Sequence, residues 1–122
     1  MKKLYFYTVE YRFLESGECE RFLSRKEKEA RETAKLYLPA AQVRDDDFPG
    51  SPVFPCGLTR LPKERVDTAE VSEGWLILTK PDDEAARAAW RRRYAGIADM
   101  CTRQAEENRK QAEECRKIAA TL

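Results

Sequence analysis

The amino-acid sequence predicts an α+β protein: an antiparallel four-stranded sheet built from two β-hairpins, one helix between them, and a long charged C-terminal helix. Three observations predict it. Residues 4–14 alternate with period two. Trp75-Leu76-Ile77-Leu78 is a continuous apolar run next to turn residues. From Asp82 to Leu122 the sequence keeps helical character, with Gly96 as its weak point.

Taken in order, Tyr5, Tyr7, Val9, Tyr11 and Phe13 share one face of the first strand, and this aromatic face is expected to meet the core. Glu15-Ser16-Gly17-Glu18 supplies turn chemistry, and Cys19 to Leu23 can return antiparallel. Ser24-Arg25-Lys26-Glu27 matches a capping box, so a helix is expected to start there. Ala30, Thr33, Ala34, Tyr37 and Leu38 form its apolar stripe, and Pro39 ends it. The Pro-, Gly- and Asp-rich stretch to Pro62 reads as a long connection. Val66–Val71 and Trp75–Thr79 flank Ser72-Glu73-Gly74 as a second hairpin, whose Trp75-Leu76-Ile77-Leu78 run suggests burial on both faces.

Thr79-Lys80-Pro81-Asp82 then opens the last helix, about 60 Å long if continuous, with a kink or break possible at Gly96. One domain over 1–122 is expected, with the sheet, first helix and loop in 1–81 and the helical segment in 82–122. Within that helix the heptad QAEENRK is followed by QAEECRK. Extending its frame gives a seam of Ala98, Cys101, Ala105, Asn108, Ala112, Cys115, Ala119 and Leu122. Glu106 with Lys110 and Glu113 with Lys117 have the spacing of helix-supporting ion pairs. The seam can face its own sheet, a second copy or a different protein.

The 23 basic and 22 acidic residues nearly cancel, so the basic excess usual for nonspecific nucleic-acid binding is missing. The chain contains no histidine, which removes Ser-His-Asp and Cys-His nucleophilic sites and His-containing zinc sites. It also has no Cys-x-x-Cys, no phosphate-cradling glycine loop, and no apolar run long enough for a membrane helix. A cytoplasmic protein with reduced thiols, no cofactor, no metal and no enzymatic activity is expected. Cys19, Cys101 and Cys115 read as small buried hydrophobes, while Cys56 lies in a loop without a neighbouring base.

Two further clusters are candidate contacts. Asp45, Asp46, Asp47 and Phe48 offer an acidic loop surface for a basic partner, or carboxylates for a hard cation, although consecutive aspartates rarely converge on one ion. Arg87, Arg91, Arg92 and Arg93 flank Trp90 and Tyr94, a composition able to touch phosphates or an acidic protein. Helical spacing places Trp90 and Tyr94 on a face expected to dock on the sheet.

These readings favour a noncatalytic protein-binding module that occupies a surface of a larger macromolecule through the seam and the acidic loop. A nucleic-acid-binding module using the arginines, and a structural protein that forms homodimers through the C-terminal helix, are the alternatives. Small size, balanced high charge and missing catalytic sets are shared with many accessory and inhibitor proteins of phages and mobile elements, including anti-defence proteins. That comparison is one of general style, not of motif.

Overall fold

A computed structural model describes residues 1–40 and 53–122. The elements are β1 (Lys2–Phe13), β2 (Cys19–Glu32), β3 (Leu36–Pro39), β4 (Leu61–Pro62), a 3-10 turn (Lys63–Arg65), β5 (Leu76–Leu78) and α1 (Asp83–Thr121). The strands form one curled antiparallel sheet in the order β4-β3-β2-β1-β5, a half-barrel. The described residues divide into two compact units, Met1–Trp90 and Arg91–Leu122.

The α+β class and the long C-terminal helix stand, but the helix expected after Ser24 is a strand, and among the described residues the sheet has five strands instead of four. β2 pairs with β1 without interruption from Phe13 opposite Cys19 to Lys2 opposite Ala30. The physical reason lies in the partner. An isolated helix of that length is marginal in water, whereas continuing the ladder gives the backbone groups on the β2 side of β1 their partners along its whole length. Charged residues of the two strands pair across the sheet, as in Lys3–Glu27 at 3.5 Å, Arg12–Glu20 at 2.8 Å and Lys26–Glu10 at 3.5 Å. Ser24 caps nothing. Thr33 turns the chain into β3, its Oγ1 accepting from the Leu36 N–H at 3.0 Å.

The second hairpin is also partly redrawn. Its turn is present: Ser72 and Trp75 exchange backbone bonds at 3.0 Å, and Glu73 and Gly74 carry the two positive φ values of a type I′ turn. Val66–Val71, however, is not a strand, and β5 pairs with β1 instead. Asp67, itself at positive φ, ties this stretch down by accepting from the Thr79 N–H at 2.9 Å and its hydroxyl at 2.7 Å.

Both sheet faces are covered around residues 4–7. Leu4, Phe6 and Ile77 pack with Ala30, Tyr37, Phe54, Leu61 and Val66 on one face. Tyr7 and Leu76 pack with Ala86 and Ala89 of α1 on the other. Leu76 and Ile77 thus bury opposite faces of β5, as the apolar run suggested. The aromatic alternation of β1 meets the core only in part, because Tyr11 and Phe13 are 60% and 73% exposed while Phe6, on the opposite face, is fully buried.

α1 begins one residue after its cap. Asp82 Oδ1 accepts the Ala85 N–H at 3.0 Å, satisfying one of the open donors of the first turn. Tyr7 fixes this start to the sheet: its hydroxyl donates to Asp83 Oδ1 at 2.7 Å and accepts from the Asp82 N–H at 3.0 Å, and Trp90 Nε1 donates to the Tyr7 carbonyl at 3.4 Å. The helix continues through Gly96 as one element.

Candidate partner-binding surfaces

Every residue from Ala98 to Leu122 is exposed, so all eight seam positions are accessible: Ala98, Cys101, Ala105, Asn108, Ala112, Cys115, Ala119 and Leu122. In heptad order the neighbouring row is Ile97, Gln104, Gln111 and Ile118. Together the two rows make a longitudinal stripe without a single charged residue. Ile118 is half exposed and Leu122 wholly so, and Gln104 Nε2 donates to Asn108 Oδ1 at 3.0 Å within the stripe. Most of the remaining circumference is ionic, with Met100, Thr102, Ala120 and Thr121 as the uncharged exceptions. The expected Glu–Lys pairs are not the ones formed, because Arg109 serves both glutamates, meeting Glu106 at i−3 and Glu113 Oε1 at 2.7 Å. The guanidinium's branched donors reach two carboxylates, which a lysine does less well. The hydrogen bond to Glu106, opposed by desolvation and helped less by Glu113, holds the Arg109 pKa above the ordinary guanidinium value.

The four cysteines are free thiols, and Cys19, Cys101 and Cys115 are exposed instead of buried. The reason is local. Cys19 opens the β1–β2 ladder, and the other two lie where α1 buries nothing. Cys56 is half-buried and packs on the core cluster of Leu4 and Phe6.

The arginine cluster is divided between the two units, Arg87 in one and Arg91, Arg92 and Arg93 in the other. Arg87 Nη1 bonds Glu84 Oε1 at 3.0 Å. Trp90 is buried, as its position suggested, whereas Tyr94 is 41% exposed. Asp45, Asp46, Asp47 and Phe48 lie outside the described residues. Among the described residues no group of three or more acids or cysteines is placed to hold a metal ion. An open groove of about 690 Å³, lined by Met1, Lys2, Lys3, Tyr5, Arg31, Glu32 and Thr79, has Glu32 as its one carboxylate.

The surface that sequence reasoning missed is the outer part of the β1–β2 ribbon. β5 reaches β1 only at Tyr5–Tyr7, and β3 reaches β2 only at Ala30–Glu32. Beyond them the ribbon is two-stranded among the described residues and exposes Tyr11, Phe13, Leu14 and Phe22. Arginines cover some of these rings, Arg21 at 5.5 Å over Tyr11 and Arg12 at 5.7 Å over Phe22. Tyr11, Phe13 and Phe22 fall in the hairpin that the sequence predicts; their exposure was missed because the aromatic face of β1 was expected to meet the core along its whole length.

The described residues thus define an α+β protein with a curled five-stranded antiparallel sheet and one long C-terminal helix. No family model, no curated protein and no solved structure matches the chain. No helix among the described residues is long and apolar enough to cross a membrane.

Proposed function

We propose that this chain is a noncatalytic protein-binding module that occupies a surface of a larger macromolecule through the C-terminal part of α1, its partner another protein. The observation that supports this reading is the uncharged stripe on a helix whose residues from Ala98 onward are all exposed. Ion pairs on the remaining faces keep such a helix formed in water, and the stripe offers a groove-bearing partner a surface free of charges to desolvate. The acidic loop at Asp45, Asp46, Asp47 and Phe48 is a second contact of the same module. An accessory or inhibitor protein of a phage or mobile element, acting in the cytoplasm, fits this description.

The deciding experiment is affinity capture from the source cell with the intact chain, with a chain truncated after Arg103, and with Ala105→Glu/Ala112→Glu. The last keeps helix propensity while charging the stripe. Loss of one and the same captured protein in both variants is the expected result. Undiminished capture by both rejects the helix as the binding element.

The nucleic-acid alternative draws less support, since Arg87 is already paired with Glu84. Retention on single-stranded or duplex DNA that falls steeply with salt and collapses in Arg91→Glu/Arg92→Glu/Arg93→Glu is the result that would revive it. Homodimerisation through the stripe is a third reading; light scattering on the intact and truncated chains tests it.

A further inference from the structure

We propose that the outer edge of β2 is a self-association surface, on which a second copy of this chain adds its own β2 antiparallel about a two-fold axis at Ser24. This goes beyond the helix reading and rests on the sheet alone.

The edge is built for pairing. The Glu29 carbonyl points away from β1, where it accepts the Ala40 N–H at 3.0 Å. Alternate residues of a strand point their backbone groups the same way, so Arg21, Leu23, Arg25 and Glu27 also present theirs outward. Among the described residues, no backbone hydrogen bond reaches the outer edge between Cys19 and Glu27. A two-stranded ribbon is marginal by itself, and a third and fourth strand relieve that.

The occupant follows from charge and register. An antiparallel ladder must set outward-pointing residues against one another, so a symmetric pair has its axis on a residue. With the axis on Ser24, Arg21 faces Glu27 of the second copy, Leu23 faces Arg25, Phe22 meets the Lys26 stem, and Glu20 stands opposite Lys28. Each contact occurs twice, about eight backbone bonds form, and no like charges oppose. Moving the axis to Leu23 sets Arg21 against Arg25; moving it to Arg25 or Lys26 sets that residue against itself. Charges on an edge strand ordinarily keep copies apart. With the axis on Phe22 no like charges oppose, but only Glu18 finds an opposite charge, in Lys26; the axis on Ser24 matches two unlike pairs in each half, Arg21 with Glu27 and Glu20 with Lys28.

The test is sedimentation equilibrium of the full chain up to about 1 mM, the weak end of specific association. A dimer is expected whose Kd rises about tenfold or more in Arg21→Glu and in Glu27→Arg, and returns to within about threefold of the unsubstituted value in Arg21→Glu/Glu27→Arg. The recovery separates lost pairing from lost folding. Ser24→Cys in a background with Cys19, Cys101 and Cys115 changed to Ser should oxidise to a covalent dimer, since the facing Cβ atoms come within about 5 Å. A monomer throughout, a dimer indifferent to both single reversals, or a double variant as weak as the singles overturns the proposal.

Discussion

Two stretches of β1 follow one alternation and meet opposite fates. At Leu4–Tyr7 both faces are covered, one by Phe54, Leu61 and Ile77 and the other by Leu76 and the first turns of α1. At Val9–Phe13 the strand pairs, among the described residues, with β2 alone, and Tyr11 and Phe13 stand in solvent. The residue types hardly differ. What differs is the number of elements that reach each stretch, so an aromatic ring at one end holds the fold together and at the other end is surface.

Substitutions turn that contrast into numbers. The largest effect is expected from Phe6→Ala, which empties a fully buried site touching Phe54 and Trp75 and should cost about 3–5 kcal/mol in urea unfolding. Phe13→Ala, seven residues along the same strand, should stay within about 0.5 kcal/mol. A large loss there would mean that the outer ribbon is packed in solution.

Tyr7→Phe should cost about 1–3 kcal/mol, because it leaves the Asp82 N–H without its acceptor and Asp83 Oδ1 with Arg25 Nη1 at 3.2 Å in place of two donors. This effect depends on pH. Burial first, and then the hydrogen bond to Asp83, raises the folded Tyr7 phenol above its ordinary value of 10.0. A raised phenol contributes its stability in full below the unfolded pKa and loses it as pH climbs through the folded one. The gap between Tyr7→Phe and the unsubstituted chain should therefore narrow above about pH 10, as unfolding at neutral and alkaline pH will reveal.

Two smaller effects concern α1. Asp82→Ala removes the cap on the Ala85 N–H and should cost about 1 kcal/mol. Gly96→Ala should add about 1 kcal/mol to the helix, since φ is ordinary there and an added Cβ meets nothing within 4 Å. Slower amide exchange on both sides of residue 96 is the readout. Unchanged exchange would show that the helix is not limited at that point.

The C-terminal helix, the Ser72-Glu73-Gly74 turn and the two-faced burial of Leu76 and Ile77 were legible because each is specified locally. β2 was not. Ser24-Arg25-Lys26-Glu27 satisfies a local helix rule, and only the partner strand, reached through the turn at Gly17, overrides it. The uncharged stripe was partly legible: heptad spacing named the seam, but accessibility depends on what the rest of the fold leaves uncovered. The β2 edge was hidden while its residues from Ser24 onward were read as helical.

Because the stripe on α1 repeats with the heptad, its geometry is indifferent to how many repeats the chain carries. Inserting or deleting one copy of QAEENRK shifts everything beyond it by about 10.5 Å and brings the same face back within about 20°. Insertions of two or five residues turn the face away instead. The tail is in this sense a ruler graduated in sevens, whose reach can drift during evolution, or be reset by design, while the sheet stays as it is.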